Sequence, residues 1–428
     1  MTLTTLSEHE IIATLVALAL LLGSAFLLGS LMERLKAPRV VGEILGGLVF
    51  GGTLLYHFFP GLMGSVFLAY PEEGKVLNVF YQLGLIFLMF LSGYNTRLEL
   101  DRSNGKVIFC VFFGATVLPM LGAIPFIGMF RDAFIGEAGS AVSFALVFTI
   151  GVAITSIPVI SKIFFDMGIM NTRFSNTVLT VSTFQDLLLW ILLNAATCIA
   201  VRGELRLADM IGVVVITLGL FAAVKLLSDR TKPRERRIRP ITFFSVSFVA
   251  LLLVCAGLTA VGINIMYAAF LVGYVVRAAA GVDARIKAAM DSLGDFAFSF
   301  FIPIYFALVG IQLNLLHNFS LARFLAFFAV AFGLEGIGTL LMLQLTDLRR
   351  EAKINFAVTM NARGGPGIVL ATVAYSYRII SVEFFTVLIL TTMLSSLIAG
   401  YWLRIQQKRD DTVFTRLRKG EYTKGATD

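Results

Sequence analysis

The stretch Gly151-Val152-Ala153-Ile154-Thr155-Ser156-Ile157-Pro158 decides the fold, because it places a helix breaker in the middle of the apolar segment 140–165. Pro158 has no backbone N–H, so a carbonyl of the preceding turn loses its partner. Thr155 and Ser156 carry hydroxyls that can bond to freed backbone groups at membrane depth. The stretch therefore predicts a membrane helix that is interrupted near its middle.

A second stretch of the same kind, Asn361-Ala362-Arg363-Gly364-Gly365-Pro366-Gly367, lies in the apolar segment 352–376. Gly364, Gly365 and Pro366 together disfavour a continuous helix. One break on its own reads as an ordinary kink. Two breaks at matching depth, in segments that run antiparallel, are typical of transporters built from inverted repeats, whose ion site lies where the broken helices cross. The half-helix ends there present partial charges of both signs, which fixed side-chain charges must balance.

The whole chain is as apolar as these two segments. Of its 428 residues 58% are hydrophobic and 14% are charged, and the mean hydropathy is +0.87. A soluble domain of this length needs more polar surface, and repeated apolar runs of about 18 residues or more are typical of membrane helices. We therefore predict an all-α polytopic membrane protein with about 13 transmembrane helices. The predicted spans are residues 10–33, 39–56, 77–94, 107–130, 140–165, 174–201, 207–227, 241–259, 262–280, 292–313, 319–345, 352–376 and 382–404.

The distribution of basic residues over the connecting loops predicts the orientation. With the N-terminus outside and the C-terminus in the cytoplasm, 28 of the 35 Lys and Arg residues fall on the cytoplasmic side and 6 on the other. Cytoplasmic loops are enriched in Lys and Arg, so this orientation is favoured. The basic segment 232–237 then reads as a topology anchor beside anionic headgroups and not as a nucleic-acid site.

Asp186 is the leading candidate for an ion site. It lies near the middle of the apolar segment 174–201, in the triplet Phe184-Gln185-Asp186. Membrane proteins seldom keep a carboxylate at that depth unless it handles ions or protons, or balances a helix dipole. Gln185 carries an amide oxygen that suits a dehydrated cation, or it bonds to a neighbouring helix. Thr155 and Ser156 add hydroxyl oxygens at the crossing.

Two further charges lie deep in the chain. Glu335, midway along segment 319–345, balances a helix dipole, pairs with Arg363, or titrates, and the sequence leaves these three roles open. Arg363 is read either as half of a permanent ion pair or as a direct participant in transport. Asn361 is a candidate for polar contacts between helices or for charge balance at the crossing.

Four segments carry a family resemblance: Pro38–Gly47, Gln82–Gly93, Phe184-Gln185-Asp186 and Phe301–Gly310. In their residues and order they resemble the cation:proton antiporter-2 family, and within it the Kef-type branch. The resemblance implies a homodimer in the cell membrane, inner or plasma, with a sodium/proton-antiporter fold of two crossed discontinuous helices. It also implies that a core domain moves like an elevator against a dimerisation domain, and that Asp186 carries the proton or the cation in turn. A glutamine at position 185 resembles the potassium branch.

The resemblance also implies a division of the chain. The first helix and its loop occupy residues 1–38, and a short basic cytoplasmic tail, which we expect to be loosely ordered, occupies 405–428. Scaffold or dimerisation helices are expected at 39–106 and 207–318. Ion-translocating core helices are expected at 107–206 and 319–404.

Two departures from the family pattern stand out. Kef-type proteins carry a cytosolic nucleotide-binding domain, whereas this chain ends 24 residues after the last predicted span. We therefore expect gating by such a domain to be absent or to come from a separate subunit. Many relatives also place a lysine on the helix that matches residues 319–345, where this chain has Glu335. The stoichiometry stays open as a result.

The sequence predicts a secondary transporter that exchanges a monovalent cation, K⁺ in preference to Na⁺, for protons. An ion gradient supplies the free energy, so no cofactor is expected. Two alternatives stay open: a sodium-coupled symporter of an organic anion on the same crossed-helix architecture, and a cation channel. A channel is less favoured because the chain lacks a Thr-Val-Gly-Tyr-Gly filter. An intramembrane enzyme is also less favoured, because the sequence contains no His-Glu-x-x-His motif.

Overall fold

The structure is a computed structural model, and it describes residues 5–70, 73–95, 104–170, 172–203, 215, 219, 239–260, 263–280, 283–317, 319–410 and 412–417. Apart from an isolated bridge between Ile135 and Ile380, the regular secondary structure of these residues is helical. The prediction of an all-α protein is thus confirmed.

The helices in the first half of the chain are α1 (Glu8–Arg34), α2 (Arg39–Phe50), α3 (Leu55–Phe58), α4 (Pro60–Phe67), α5 (Glu73–Asn95), α6 (Gly105–Phe112), α7 (Leu118–Ala123), α8 (Ile127–Phe134), α9 (Ala141–Val152), α10 (Ile157–Asp166) and α11 (Arg173–Arg202). The helices in the second half are α12 (Pro240–Ala260), α13 (Ile265–Ala280), α14 (Ala284–Ser299), α15 (Phe301–Gln312), α16 (Leu321–Leu343), α17 (Arg350–Met360), α18 (Gly365–Ser376) and α19 (Val382–Arg409). A π-helical turn, Phe113–Val117, and a 3₁₀ turn, Ile124–Phe126, join α6, α7 and α8 into one long rod.

Ten spans within the described residues are long and apolar enough to cross a membrane. A shorter apolar helix, Ile265–Ala279, and the pair α17–α18 match two more of the predicted spans. The predicted span 207–227 lies outside the described residues, except for positions 215 and 219. The total of 13 therefore stays a prediction, while the polytopic membrane character is confirmed.

The chain divides into two compact units. The first unit contains α1 to α5 and α12 to α15, and the second contains α6 to α11 and α16 to α19. Each unit is thus assembled from two separate parts of the sequence. The dimerisation and ion-carrying roles that we assign to these parts stay predictions.

Glycine allows close helix contacts inside the first unit. A Cβ atom at Gly47 of α2 would collide with the carbonyl of Ala307 on α15, and one at Gly310 would collide with the carbonyl of Ile44. A similar close contact joins α5 to α13, where a Cβ atom at Gly93 would collide with the carbonyl of Phe270. Small residues let helix backbones approach closely. Such close van der Waals contact stabilises helix pairs in a bilayer, where the hydrophobic effect does not drive helices together.

Aromatic rings fill one end of the second unit. Phe134 stacks on Phe384 with 4.5 Å between ring centroids, and Phe327 packs edge-on against both Phe148 and Phe384. The rings come from α8, α9, α16 and α19. This cluster ties the first part of the unit to the second.

The tail differs from expectation over its described part. Helix α19 continues to Arg409, and beyond it Val413, Phe414 and Leu417 are buried. The Phe414 ring lies 5.1 Å from the ring of Phe174, and the backbone N–H of Arg349 donates to the carbonyl of Leu417 at 2.9 Å. Up to residue 417 the tail is therefore packed and not loosely ordered.

Candidate ion site at the helix crossover

Both predicted helix breaks are present. Helix α9 ends at Val152 and α10 begins at Ile157, with Pro158 in its first turn. Helix α17 ends at Met360 and α18 begins at Gly365, with Pro366 in its first turn. Proline suits this place because the first N–H groups of a helix have no intrahelical partner.

The two breaks touch each other directly. The backbone N–H of Ser156 donates to the carbonyl of Ala362 at 2.8 Å. A Cβ atom at Gly364 would collide with the side chains of Val159 and Ser156. The φ of Gly364 is −164°, which any residue can adopt. It is therefore the lack of space at the crossing, and not the backbone conformation, that requires glycine there.

Each break also caps the half-helix of the other. The Thr155 hydroxyl donates to the carbonyl of Met360, the last residue of α17, at 2.6 Å. Arg363 Nη2 donates to the carbonyl of Val152, the last residue of α9, at 2.7 Å. Carbonyls at a helix C-terminus lack intrahelical donors and carry partial negative charge. Thr155 and Arg363 thus each donate a hydrogen bond to the last carbonyl of the other broken helix.

Glu335 is paired with Arg363. The distance from Arg363 Nη2 to Glu335 Oε2 is 2.7 Å, and both side chains are fully buried. Glu335 Oε1 lies 3.1 Å from the Thr155 hydroxyl, and Thr339 donates to the backbone carbonyl of Glu335 at 2.7 Å. Of the roles that the sequence left open for Glu335, the structure supplies the ion pair.

Helix α11 brings Gln185 to the first break. Gln185 Nε2 donates to the carbonyl of Ala153, directly after the end of α9, and to that of Ala115 at 3.3 Å. Ala115 lies in the π-helical turn, a distortion that is frequent at functional sites. No sequence pattern indicated this turn; Gly114 within it and Pro119 shortly after it are the sequence features that mark the place.

Asp186 follows Gln185 and is 2% exposed. Within the described part of the chain its carboxylate has no hydrogen bond and no ion pair, and Oδ2 is buried without a partner. The other deep acid, Glu335, has Arg363 and Thr155. The two carboxylates therefore differ in kind: one is neutralised by the fold and the other is left without a counter-charge.

Several acceptor oxygens near the breaks lack donors. Among the described residues, the buried side-chain oxygens Gln185 Oε1, Asp186 Oδ2 and Asn361 Oδ1 make no hydrogen bond. Oxygen atoms of this kind are the ligands that hard cations prefer. Each of these oxygens can act as a ligand of a small cation, and the carboxylate can also bind a proton.

The structure does not bring every predicted residue into the same role. Asn361 donates from Nδ2 to the carbonyl of Ala357 at 3.0 Å and so bonds to its own helix, α17, instead of joining the ion pair. The Ser156 hydroxyl accepts from the N–H of Val159 at 3.4 Å and caps α10. The single hydroxyl hydrogen of Thr155 is engaged by Met360 and Glu335, so only its lone pairs remain for an ion.

The second unit carries these features on α9 to α11 and α16 to α18. Residues 18–406 match the family model described as "Sodium/hydrogen exchanger, transmembrane". The match spans both units and both breaks.

Two curated relatives cover nearly the whole chain. The Na⁺/H⁺ antiporter NhaS4 of Synechocystis is 22% identical over 92% of this chain and 97% of its own length. The Na⁺/H⁺-K⁺ antiporter GerN of Bacillus cereus is 25% identical over 90% of this chain and 94% of its own. Cation/H⁺ antiporter 15 of Arabidopsis thaliana is 24% identical, but the match spans only 44% of that protein.

A solved structure shares the fold. The sodium proton antiporter MjNhaP1 from Methanocaldococcus jannaschii superposes with a TM-score of 0.65 at 15% identity, covering 93% of this chain and 97% of that one. The predicted sodium/proton-antiporter fold is therefore confirmed. The family model matches most of the length of this chain, and the fold contains two crossed, broken helices. The chain therefore belongs to the transmembrane sodium/hydrogen exchanger family.

Proposed function

We propose that this protein exchanges a monovalent cation for protons across the cell membrane, with Asp186 binding the proton and the cation in turn. The observation that carries the proposal is the buried Asp186 carboxylate, which has no partner among the described residues. An ionised carboxylate in a low-dielectric site is costly unless a charge neutralises it. A proton or a cation removes that cost, and the empty carboxylate does not cross the barrier. This penalty couples the two fluxes.

Exchange is one-for-one in this proposal. Glu335 is held by Arg363 at 2.7 Å, and both are fully buried. A pair of this kind has no net charge to carry and loses much of its stabilisation if one partner is neutralised. Asp186 is then the single titrating carrier, and one proton moves for each cation.

The cation is held by Asp186 and Gln185 on α11, with support from Thr155, Ser156 and the carbonyls at the breaks. The free oxygens Gln185 Oε1 and Asp186 Oδ2 support this ligand set. The glutamine in the Gln185-Asp186 pair favours K⁺ over Na⁺ through its resemblance to the Kef-type branch. The name of GerN, which includes both ions, is compatible with either.

The transport step is an elevator movement of the second unit relative to the first. Its support is the division of the chain into two units, with both breaks and Asp186 in the second. The first unit forms the scaffold of a homodimer in this proposal. The N-terminus is outside and the C-terminus is in the cytoplasm in this proposal.

The test is proton-coupled cation flux in proteoliposomes. A pH gradient is imposed, and its dissipation is followed after K⁺, Na⁺ or another alkali cation is added. Asp186→Asn is expected to abolish the flux, because a neutral amide neither binds a proton nor offsets a cation. Asp132→Asn removes an exposed carboxylate and is expected to transport like the unchanged protein.

Folding is checked by size-exclusion chromatography of each variant before reconstitution. Proton-coupled cation flux that survives in well-folded Asp186→Asn would refute Asp186 as the carrier. Flux that responds to no alkali cation in the unchanged protein would refute cation/proton exchange itself.

A further inference from the structure

A cavity of about 390 Å³ lies in the second unit, where α16 ends and α17 begins. Its lining combines apolar and basic side chains: Leu340, Gln344, Leu348, Arg350, Lys353 and Ile354. The residues at the crossover are not part of this lining, so the cavity is separate from the candidate ion site.

Two cationic groups of the cavity are available to a ligand. Within the described residues Arg350 is exposed and has neither a hydrogen bond nor an ion pair. Lys353 Nζ donates only to Gln344 Oε1, at 3.2 Å. Glu351, the acid in the first turn of α17, is exposed and pairs with Arg349 at 3.7 Å. The basic groups in the cavity are thus not neutralised by this neighbouring carboxylate.

The backbone adds to the positive potential. Helix α17 begins at Arg350, and its N-cap residue, Arg349, makes no side-chain capping bond. The first N–H groups of a helix point outward and favour an anion, above all a phosphate. The cavity therefore joins a helix N-terminus to two basic side chains.

Exposed apolar side chains lie next to the cavity. Leu341 and Leu345 on the same stretch of chain are 60% and 59% exposed. Leu340, Leu348 and Ile354 line the cavity itself. Exposed leucines at the end of a membrane helix face acyl chains, so a ligand that enters beside them has an apolar part as well as an anionic one.

We propose that this cavity binds the headgroup of an anionic phospholipid, with Arg350 and Lys353 holding its phosphate and the leucines contacting its acyl chains. Basic pockets between membrane helices suit such headgroups, and each basic residue near the anionic leaflet adds to the attraction. A soluble phosphate would use the basic groups but not the apolar lining. The lipid is therefore the occupant that accounts for both.

The test measures phosphatidylglycerol binding to the purified full chain in detergent by native mass spectrometry. The double variant Arg350→Gln/Lys353→Gln is expected to bind this lipid on the order of tenfold more weakly. The matched control, Arg285→Gln/Lys287→Gln, removes two exposed basic residues from α14 and is expected to retain the binding. Phosphatidylcholine, which has no net charge, is expected to bind both double variants and the unchanged protein alike.

Competition with inorganic phosphate distinguishes a site for a phospholipid headgroup from a site for a soluble phosphate. Inorganic phosphate is not expected to displace the lipid, because it cannot replace the contacts to Leu340 and Leu348. Undiminished phosphatidylglycerol binding in Arg350→Gln/Lys353→Gln would overturn the proposal, as would an equal loss in the control. Full displacement by inorganic phosphate alone would also overturn it, since the site would then be one for a soluble anion.

Discussion

The deep charges of the second unit fall into two classes. Glu335 and Arg363 neutralise each other at 2.7 Å, and Arg363 also satisfies the carbonyl of Val152. Asp186 has no such partner among the described residues. The fold thus pairs one acid with a counter-charge and leaves the other without one. This difference supports the proposed roles of Glu335 and Arg363 as a fixed ion pair and of Asp186 as the carrier.

The fixed pair makes a prediction for stability. Glu335→Gln or Arg363→Gln alone is expected to lower the free energy of unfolding by about 3–5 kcal/mol, because each leaves the other charge buried without a partner. The double variant is expected to lose less than the sum of the two. Unfolding in detergent, followed by circular dichroism against denaturant, measures this coupling.

An exposed pair in the same unit is the control for that cycle. Arg378 and Glu137 lie 3.1 Å apart, with both side chains more than 70% exposed. Neutralising them is expected to change stability by about 0–1 kcal/mol. Equal losses from the buried and the exposed pair would contradict the structural role of Glu335 and Arg363.

The loaded charge makes a prediction for pH. If proton and cation compete for Asp186, raising the cation concentration lowers the pH at which transport is half-maximal, because the cation favours the ionised carboxylate. Flux in proteoliposomes is measured over a range of pH at several K⁺ concentrations. A midpoint that does not move with cation concentration would show that the two ions bind at separate sites.

Part of the site could be predicted from residue identity. Asp186, Gln185, Glu335 and Arg363 stand out because polar side chains are rare in apolar segments. The capping bonds could not be predicted. Whether Arg363 reaches the carbonyl of Val152 depends on how the two broken helices pack, since the two residues lie 211 positions apart in the chain.

At the scale of the elements, the two broken helices have the same register. Thr155 lies three residues after the end of α9 and Arg363 lies three residues after the end of α17. Ser156 and Gly364, one residue further on, are the N-caps of α10 and α18, and a proline follows two positions after each. The pattern of breakers was sufficient to locate both breaks. Their reciprocal bonding requires this matched register as well.

Helix contacts inside the first unit predict that replacing glycine by alanine changes stability differently at two positions. Gly93→Ala places a Cβ against the carbonyl of Phe270 and is expected to lower stability by about 1–3 kcal/mol. Gly23 of α1 has nothing within 4 Å of its Cβ position. Gly23→Ala is therefore expected to be neutral, or to stabilise by up to about 1 kcal/mol through helix propensity.

Thermal unfolding of the two alanine variants in the same detergent measures the contrast. Equal stability of the two would show that α5 and α13 do not pack through Gly93 as described.

The described end of the tail gives a further prediction for an element. Phe414 is fully buried, and its neighbour Phe174 also contacts Phe356 with 4.5 Å between ring centroids. Phe414→Ala is expected to release the segment from α11 and α17, since removing a buried phenyl ring costs about 3–5 kcal/mol. Limited proteolysis is then faster after residue 409, whereas Phe58→Ala, at a position that is 64% exposed, leaves the rate unchanged.

Tail cleavage at the same rate in the Phe414→Ala and unchanged proteins would contradict this packing. The sequence did not predict the contact, because residues 405–428 are basic and short and carry no periodic pattern. Single apolar residues such as Phe414 become informative only when the surface that receives them is known.

At the scale of the whole molecule, the number of crossings decides on which sides of the membrane the two ends lie. The described residues contain twelve candidate crossings: ten helices that are long and apolar enough to span a membrane, the shorter helix Ile265–Ala279, and the broken pair α17–α18. An even number puts both ends on the same side. Our prediction that 207–227 crosses as well makes the number odd, and the bias of Lys and Arg then places the N-terminus outside and the C-terminus in the cytoplasm.

Cysteine labelling in intact cells tests this parity. Glu8→Cys at the start of α1 is expected to react with a membrane-impermeant maleimide, and Lys408→Cys near the end of α19 only after permeabilisation. Both positions are exposed, while the native Cys110, Cys198 and Cys255 are buried, so the unchanged protein is the control for background. Labelling of both variants in intact cells, or of neither, would give an even number of crossings and remove 207–227 from the membrane. The reverse pattern would keep thirteen crossings but invert the protein, and the basic loops would then face outward against the usual charge bias.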